Sequence, residues 1–265
     1  MTEIFAVHEG VTPLLISVPH DGRFLPGIIK KHMTPAGRDL PDTDWHVARL
    51  YEFAAELGAS MILASHSRYV VDLNRPPDDA ALYEGQVATG ICPLQSFSGD
   101  ELYESGEAPS VDEIEERVRT FWRPYHEFVD TRLSALREEH GYALLWDAHS
   151  IPSHVPRLFD GELPVLNIGT NDDVSCAVSI AGDVIDVANS SEFSAVANAR
   201  FKGGYITRHY GDPDNDVHAI QLEIAQRAYM DEGTREFDET LAGKLRDTLR
   251  SMIATLMDSA GRRYQ

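Results

Sequence analysis

The chain has 265 residues, 43% of them hydrophobic, and a net charge of −20 at pH 7. This length and composition suffice for a large α/β core, and no Pro/Gly/Ser-rich linker divides the sequence, so we expect a single domain over residues 1–265. The charge argues against binding to nucleic acid or to an anionic membrane, because both surfaces attract clustered Lys and Arg. The N-terminus lacks a signal-peptide pattern and no apolar run could span a bilayer, which predicts a cytoplasmic protein.

The predicted elements begin with an apolar strand over residues 11–18, which stops at the turn Pro19-His20-Asp21-Gly22. A helical pattern follows over residues 47–57. Apolar residues at 59–65 and 69–73 then predict two more strands.

A long amphipathic helix is predicted in the middle of the chain. Its start is marked by the capping box Ser110-Val111-Asp112-Glu113. Pro124 is expected to kink or break this helix, and Gly141 to end it. The next apolar run, at residues 142–146, predicts a buried strand that stops at Asp147-Ala148-His149-Ser150.

The remaining elements continue the alternation of strand and helix: a strand at 164–169, a helix at 173–189, a strand at 218–224 and a helix at 238–257. Residues 193–200 fit a strand or a helix, and 203–207 look like a turn into a strand or loop. This alternation predicts an α/β fold with a mainly parallel sheet and helices on both faces. Ligands of such sheets bind outside the carboxyl ends of the strands.

Two histidines follow predicted strands, His20 and His149. Zinc favours imidazole nitrogen and carboxylate oxygen, and a catalytic site keeps one position open for water. Asp42 and Asp44, at the start of a predicted helix, are the candidates for a third ligand. Asp147 could orient a ligand imidazole from behind.

Each of these residues also has an ordinary structural interpretation. Either histidine could be structural or exposed, Asp42 or Asp44 could cap its helix, and Glu223 in the late strand could pair with a buried arginine. The sequence contains no nucleophile elbow, His-Glu-x-x-His zinc helix, phosphate-binding loop or dinucleotide fingerprint. A Ser-His-Asp arrangement stays open, because three serines lie near strand ends: Ser17, Ser65 and Ser150.

Six segments resemble the N-formylglutamate amidohydrolase (N-formylglutamate deformylase) family: SVPHDGRFLP, DTDWHVARLY, SRYVVDLNRP, DAHS, GGYITRHYG and VHAIQLEIAQRAYM. They occur in this order over most of the chain. The resemblance implies a three-layer α/β/α fold similar to that of the zinc-dependent exopeptidases. It also implies the hydrolysis of N-formyl-L-glutamate to formate and L-glutamate, the last step of one histidine-degradation route.

Pieces of the zinc carboxypeptidases are also visible. The resemblance implies that His149, in an Asp-x-His sequence, is a zinc ligand, that Asn74 and Arg75 grip the substrate carboxylate, and that Glu223 is the general base. One position departs from the carboxypeptidase pattern, because Arg23 stands where those enzymes carry a glutamate ligand.

The carboxylate ligand must therefore come from elsewhere, and we favour Asp44, with Asp42 next. The predicted site has Zn²⁺ (or another divalent metal) held by His20, Asp44 and His149, where it would lower the pKa of a bound water. Glu223 would accept the proton and pass it to the departing nitrogen.

Arginine suits the two carboxylates of such an anionic substrate, because its planar fork binds carboxylate bidentately. Arg75 is the first candidate, followed by Arg208 and Arg68, with His209 as a further polar contact. Arg68 and Arg208 could instead pair with carboxylates of the protein. Two alternative functions stay open: hydrolysis of another N-acyl amino acid by the same fold, or a catalytically inactive binding module. The oligomeric state is not indicated.

Overall fold

The computed structural model describes residues 3–80 and 89–264, in which seven strands form one sheet. The strands are β1 (Phe5–His8), β2 (Leu14–Val18), β3 (Ser60–Ala64), β4 (Ala143–Ile151), β5 (Leu166–Gly169), β6 (Ala195–Ala197) and β7 (Val217–Ala225). Their order is β1-β3-β2-β4-β7-β5-β6. Neighbouring strands are parallel except at β1–β3 and β5–β7. The predicted mainly parallel, mixed sheet is confirmed.

Helices flank this sheet. The α-helices are α1 (Gly27–Lys30), α2 (Pro35–Asp39), α3 (Val47–Leu50), α4 (Val111–Arg117), α5 (Arg123–His140), α6 (Val178–Ser190), α7 (Tyr205–Tyr210) and α8 (Glu239–Tyr264). Short 3₁₀ helices span Glu52–Leu57, Pro213–Asn215 and Gln226–Ala228, and a π-helical turn, Val118–Trp122, joins α4 to α5. Among the described residues, no helix is long and apolar enough to cross a membrane.

Alternate residues of the central strands point to opposite sides of the sheet, as the period of a strand requires. Ile16 of β2 belongs to the same buried cluster as Ile180 of α6 and Leu256 of α8. The next residue along, Leu15, belongs to a second cluster with Val129 of α5. Helices therefore cover both faces, which confirms the three-layer α/β/α architecture.

Most of the predicted strands are present, but their bounds differ. β4 continues for five residues beyond the predicted end, so that His149 lies within the strand. The strand predicted at 69–73 is wrong: β3 pairs with β1 on one side and β2 on the other, which leaves no edge of β3 for it. β1 was not predicted. Residues 193–200 contain only the short strand β6.

The helix predictions show where local signals suffice. The hydroxyl of Ser110 accepts a hydrogen bond from the backbone N–H of Glu113, and Gly141 ends α5 in a left-handed conformation. Where a kink or break was expected at Pro124, the helix contains a π-helical turn that ends two residues earlier, at Trp122. The prediction of a turn into a strand or loop at 203–207 is wrong, because α7 begins at Tyr205.

Candidate active site

Three buried side chains meet at the carboxyl ends of the central strands. His20 lies two residues beyond β2, and its carbonyl oxygen accepts a hydrogen bond from the backbone N–H of Asp44. His149 lies in β4, next to β2. Asp44 Oδ2 is 3.7 Å from Nδ1 of His20 and 2.9 Å from Nδ1 of His149. One ligand atom from each residue falls within 4.8 Å of the others, which is close enough for all three to hold one metal ion.

Each imidazole is held from behind by a second carboxylate. Nε2 of His20 lies 2.8 Å from Asp72 Oδ1, and Nε2 of His149 lies 3.1 Å from Asp147 Oδ2. A carboxylate on one ring nitrogen fixes the ring and directs the other nitrogen at a metal, as in many zinc sites. The sequence had suggested this position for Asp147. It missed Asp72, whose only sequence signal is its place two residues before the Asn-Arg pair.

The site carries excess buried negative charge. Asp44, Asp72 and Asp147 are almost fully buried. Arg68 compensates part of this charge, with its guanidinium 2.6 Å from Asp72 and 3.7 Å from Asp44. Burial alone would raise the pKa of Asp72, but Arg68 and then His20 hold it well below its usual range, so this carboxylate stays ionised. A divalent cation between the ligands would balance the remaining charge, so the donor set fits a metal.

Protons compete with a metal at this site. Burial opposes a charge on His149, but Asp147 and Asp44 outweigh it and raise the pKa of this imidazole well above its usual range. Metal ligation requires the neutral imidazole, and therefore displaces a proton. Metal affinity should accordingly fall as the pH falls.

Asp42 lies outside the three-residue cluster. Its Oδ2 accepts a hydrogen bond from the backbone N–H of Phe97 at 2.9 Å. Burial raises the pKa of Asp42, whereas the imidazoles of His20 and His149 lower that of Asp44 in spite of its burial. Of the two aspartates, Asp44 is therefore the one that the geometry places with the two histidines.

Glu223 stands beside the cluster on the next strand. It lies directly across from His149 in the β4–β7 pairing and lines the same cavity. Burial is the largest influence on its carboxyl group and raises the pKa to about 8. A carboxylate with a pKa near neutrality can both accept and return a proton at physiological pH.

The cavity is also lined by three arginines. Two had been predicted, Arg68 and Arg75, whereas Arg200 had not. Arg75 is half-buried, and its guanidinium donates to the Thr89 hydroxyl. Arg200 donates from Nε to the carbonyl oxygen of Leu158. No sequence motif indicates Arg200, and only the fold brings it to the cavity. The other lining residues are His20, Asp44, Asp72, Asn74, Thr89, Phe97, His149, Ser150, Ile151, Leu158, Phe201, Gly204, Gln221 and Glu223.

Asn74 lines the cavity, but its amide is engaged by the protein. Nδ2 donates to Asp147 Oδ2 and faces His149 Nε2, while Oδ1 accepts from the backbone N–H of Ile206 in α7. A Cβ on Gly204 would lie 2.4 Å from this amide, so only glycine permits the close approach. In this arrangement Asn74 positions the site residues.

Arg208 and His209 are not brought to this cavity. Both belong to α7, where Arg208 donates to the carbonyl of Gly203 and the His209 ring stacks on that of Tyr205. We therefore leave both out of the substrate contacts proposed below.

The serines do not form a nucleophilic triad in this arrangement. Ser17 donates to Asp147, and the hydroxyl of Ser150 accepts from Tyr229. Ser65 contributes its carbonyl to the backbone of the loop after His20.

The fold and site together define an α/β/α protein with a buried cluster of two histidines and one carboxylate at the carboxyl ends of parallel strands. Residues 12–230 match the model of the family described as N-formylglutamate amidohydrolase. The chain belongs to this family and is an amidohydrolase, which confirms the resemblance seen in the sequence motifs.

Two relatives match this chain over its full length. The chain is 47% identical to the N-formylglutamate deformylase of Pseudomonas putida and 48% identical to that of Pseudomonas aeruginosa PAO1, with all of each chain covered. The crystal structure of N-formylglutamate amidohydrolase from Ralstonia eutropha JMP134 superposes with a TM-score of 0.80 at 23% identity, covering 96% of both chains. That likeness supports the fold.

The two neighbouring aspartates provide a matched test of the ligand set. Asp44→Asn should strongly lower the divalent metal bound per chain, because an amide lacks the negative charge of the carboxylate. Asp42→Asn should keep its metal, because the oxygen of the asparagine amide can still accept from the Phe97 N–H. The measurement is metal content by mass spectrometry after dialysis, with folding followed by circular dichroism. Equal metal contents in two folded variants would remove Asp44 from the ligand set.

Proposed function

We propose that the protein is a metal-dependent deformylase that hydrolyses N-formyl-L-glutamate to formate and L-glutamate. The names of the two full-length relatives support the substrate. The observation that carries the proposal is the content of one cavity: a three-residue metal-type cluster, an adjacent glutamate with a raised pKa, and three arginines. These are the parts that hydrolysis of an anionic amide requires.

His20, Asp44 and His149 would hold the metal, with zinc the expected ion because of its preference for nitrogen and oxygen ligands in this number. When bound, the ion would act as a Lewis acid on the formyl carbonyl and lower the pKa of a water molecule. Asp72 and Asp147 keep the two imidazoles directed at the ion from behind.

Glu223 carries the proton. It accepts a proton from the attacking water and returns it to the amide nitrogen as the C–N bond breaks, so that formate and the free amine leave. The pKa of about 8 is set mainly by burial, and a nearby cation would lower it by favouring the carboxylate. Activity should therefore be lost as the pH falls through the pKa of this group.

The substrate's two carboxylates need cationic partners, because a net charge of −20 repels a dianion at long range. Arg75 and Arg200 are the candidates. Arg68 is assigned to the charge balance of the site, since it pairs with Asp72 and Asp44. A preference for two carboxylates would follow from two arginines at separate points of the cavity.

A second candidate is hydrolysis of another N-acyl amino acid in the same cavity, which a panel of N-formyl, N-acetyl and N-succinyl amino acids would reveal. An inactive binding module is no longer a candidate, because the chain is an amidohydrolase. The place at the end of a histidine-degradation route and the cytoplasmic location stay predictions from the sequence.

Glu223→Gln tests the base. The variant keeps the size of the side chain but cannot accept the proton, so we expect retained zinc and a kcat lower by about 10²–10⁴-fold. At saturating metal, the acidic limb of the pH profile should disappear with the carboxylate. Formate release measures kcat and its pH profile. Zinc that is lost together with the carboxylate would instead make Glu223 a ligand.

Arg75→Lys tests the carboxylate contact. Lysine keeps the charge but loses the planar fork, so kcat/KM for N-formylglutamate should fall by at least about tenfold. The loss should shrink for an N-formyl substrate whose matching carboxylate is amidated, which makes the comparison a double-mutant cycle between protein and ligand. Arg200→Lys should behave in the same way with the other carboxylate.

Arg208→Lys is the matched control, because Arg208 lies outside the cavity on the neighbouring helix. It should leave kcat/KM within about twofold of the wild type. Equal losses for acid and amide in Arg75→Lys would mean that Arg75 supports the fold and does not contact the substrate.

A further inference from the structure

One irregular segment, residues 72–75, carries three of the site's side chains. Asp72 holds His20, Asn74 contacts His149, and Arg75 lines the cavity. The segment belongs to no helix or strand. A sheet ladder therefore does not fix its position, although the site depends on it.

Three successive carbonyl groups of this segment accept hydrogen bonds from three other parts of the chain. The bonds run from His126 Nε2 to Leu73 O (2.8 Å), from Tyr205 N to Asn74 O (3.2 Å) and from Trp122 Nε1 to Arg75 O (2.9 Å). Two of the three donors are side chains: Trp122 belongs to the π-helical turn before α5, and His126 belongs to α5. The carbonyl of Arg75 is thus held directly by an indole.

Trp122 and His126 form a single unit. They are four residues apart on consecutive helical turns, and their rings stack with centroids 3.7 Å apart. Both are buried, with 7% and 5% of their surface exposed. Trp122 is the last residue of the π-helical turn and lies two residues before Pro124, which has no N–H to continue the helical ladder.

The protonation of His126 is fixed by its partners. A carbonyl can only accept, so Nε2 must carry the hydrogen that it donates to Leu73. Burial lowers the pKa of this imidazole to about 3, so the ring is neutral at physiological pH. Nδ1 then carries no hydrogen. It lies 2.9 Å from the Tyr210 hydroxyl, which is also 3.0 Å from the carbonyl oxygen of His126.

We infer that Trp122 and His126 are positioning residues for substrate binding, which hold the segment 72–75 so that Arg75 reaches the substrate carboxylate. This inference rests on the proposed function for the identity of the ligand. Neither ring lines the cavity, so both act through the segment. Loss of either N–H leaves a carbonyl of the segment without its donor, and the segment should shift to find another partner.

Trp122→Phe is the direct test, because it keeps an aromatic ring in the stack and removes the indole N–H. We expect KM for N-formylglutamate to rise by about three- to tenfold, with kcat nearly unchanged and zinc retained. Trp146→Phe is the matched control. Trp146 is also buried and donates from its indole to Tyr51, but it packs in the other core cluster. It should lower the melting temperature without raising KM.

The coupling to Arg75 separates positioning from general stability. In an Arg75→Ala background, Trp122→Phe should have little further effect on KM, because the group that it misplaces is gone. An equal rise in KM in both backgrounds would overturn the inference. So would an unchanged KM in folded Trp122→Phe.

His126 supplies a second, independent pair of variants, which decides the matter if Trp122→Phe fails to fold. His126→Gln keeps an N–H donor at similar reach and should keep KM close to the wild type, whereas His126→Leu should raise it. Equal KM values for the two variants would overturn the inference.

The inference can also fail separately from the proposed function. A wild type that does not hydrolyse N-formylglutamate would refute the proposed function. Binding of glutarate, measured by calorimetry, would then still decide the inference, because it needs the arginine and no turnover. Weaker binding by Trp122→Phe than by Trp146→Phe would support it. Equal affinities, or no binding by any of these proteins, would overturn it.

Discussion

The site depends on the way each imidazole is held between two carboxylates. His20 lies between Asp72 and Asp44, and His149 between Asp147 and Asp44. The outer carboxylates fix the rings, so that both Nδ1 atoms face the shared Asp44. Buried charge of this kind is costly unless it is balanced, and one arginine does not balance it. A cation at the point of convergence, whether protons on the rings or a divalent metal, is therefore a requirement of the electrostatics.

The sheet provides the frame for this arrangement. His20, His149 and Glu223 come from β2, β4 and β7, which are adjacent parallel strands, so their side chains meet at one edge. Asp44 comes from the loop before α3. The other loop groups come from the irregular segment after β3 and from the α7 region, which Asn74 joins by hydrogen bonds. The strands thus supply the two histidines and the base, and the loops supply Asp44 and the charge complementary to a substrate.

The sequence could predict the parts that local patterns encode. Apolar runs followed by polar residues placed His20 and His149 near strand ends, and the family motifs indicated Glu223 and Arg75. The sequence could not predict which strands pair with each other. The run at 69–73 looks like a strand, but both edges of β3 are occupied by β1 and β2. α7 was missed because part of its support is tertiary, with Asn74 bonding its first N–H groups. Arg200 belongs to no motif, and only the fold brings it to the cavity.

Under the proposed function, hydrolysis of N-formylglutamate needs a metal held by this cluster. The direct measurement is a titration of wild-type protein, stripped with a chelator, in which formate release and bound zinc are followed together. Activity should rise in proportion to bound metal and reach its maximum at about one ion per chain, as a three-ligand catalytic site requires. Full activity with less than about a tenth of an ion of any divalent metal per chain would contradict the claim.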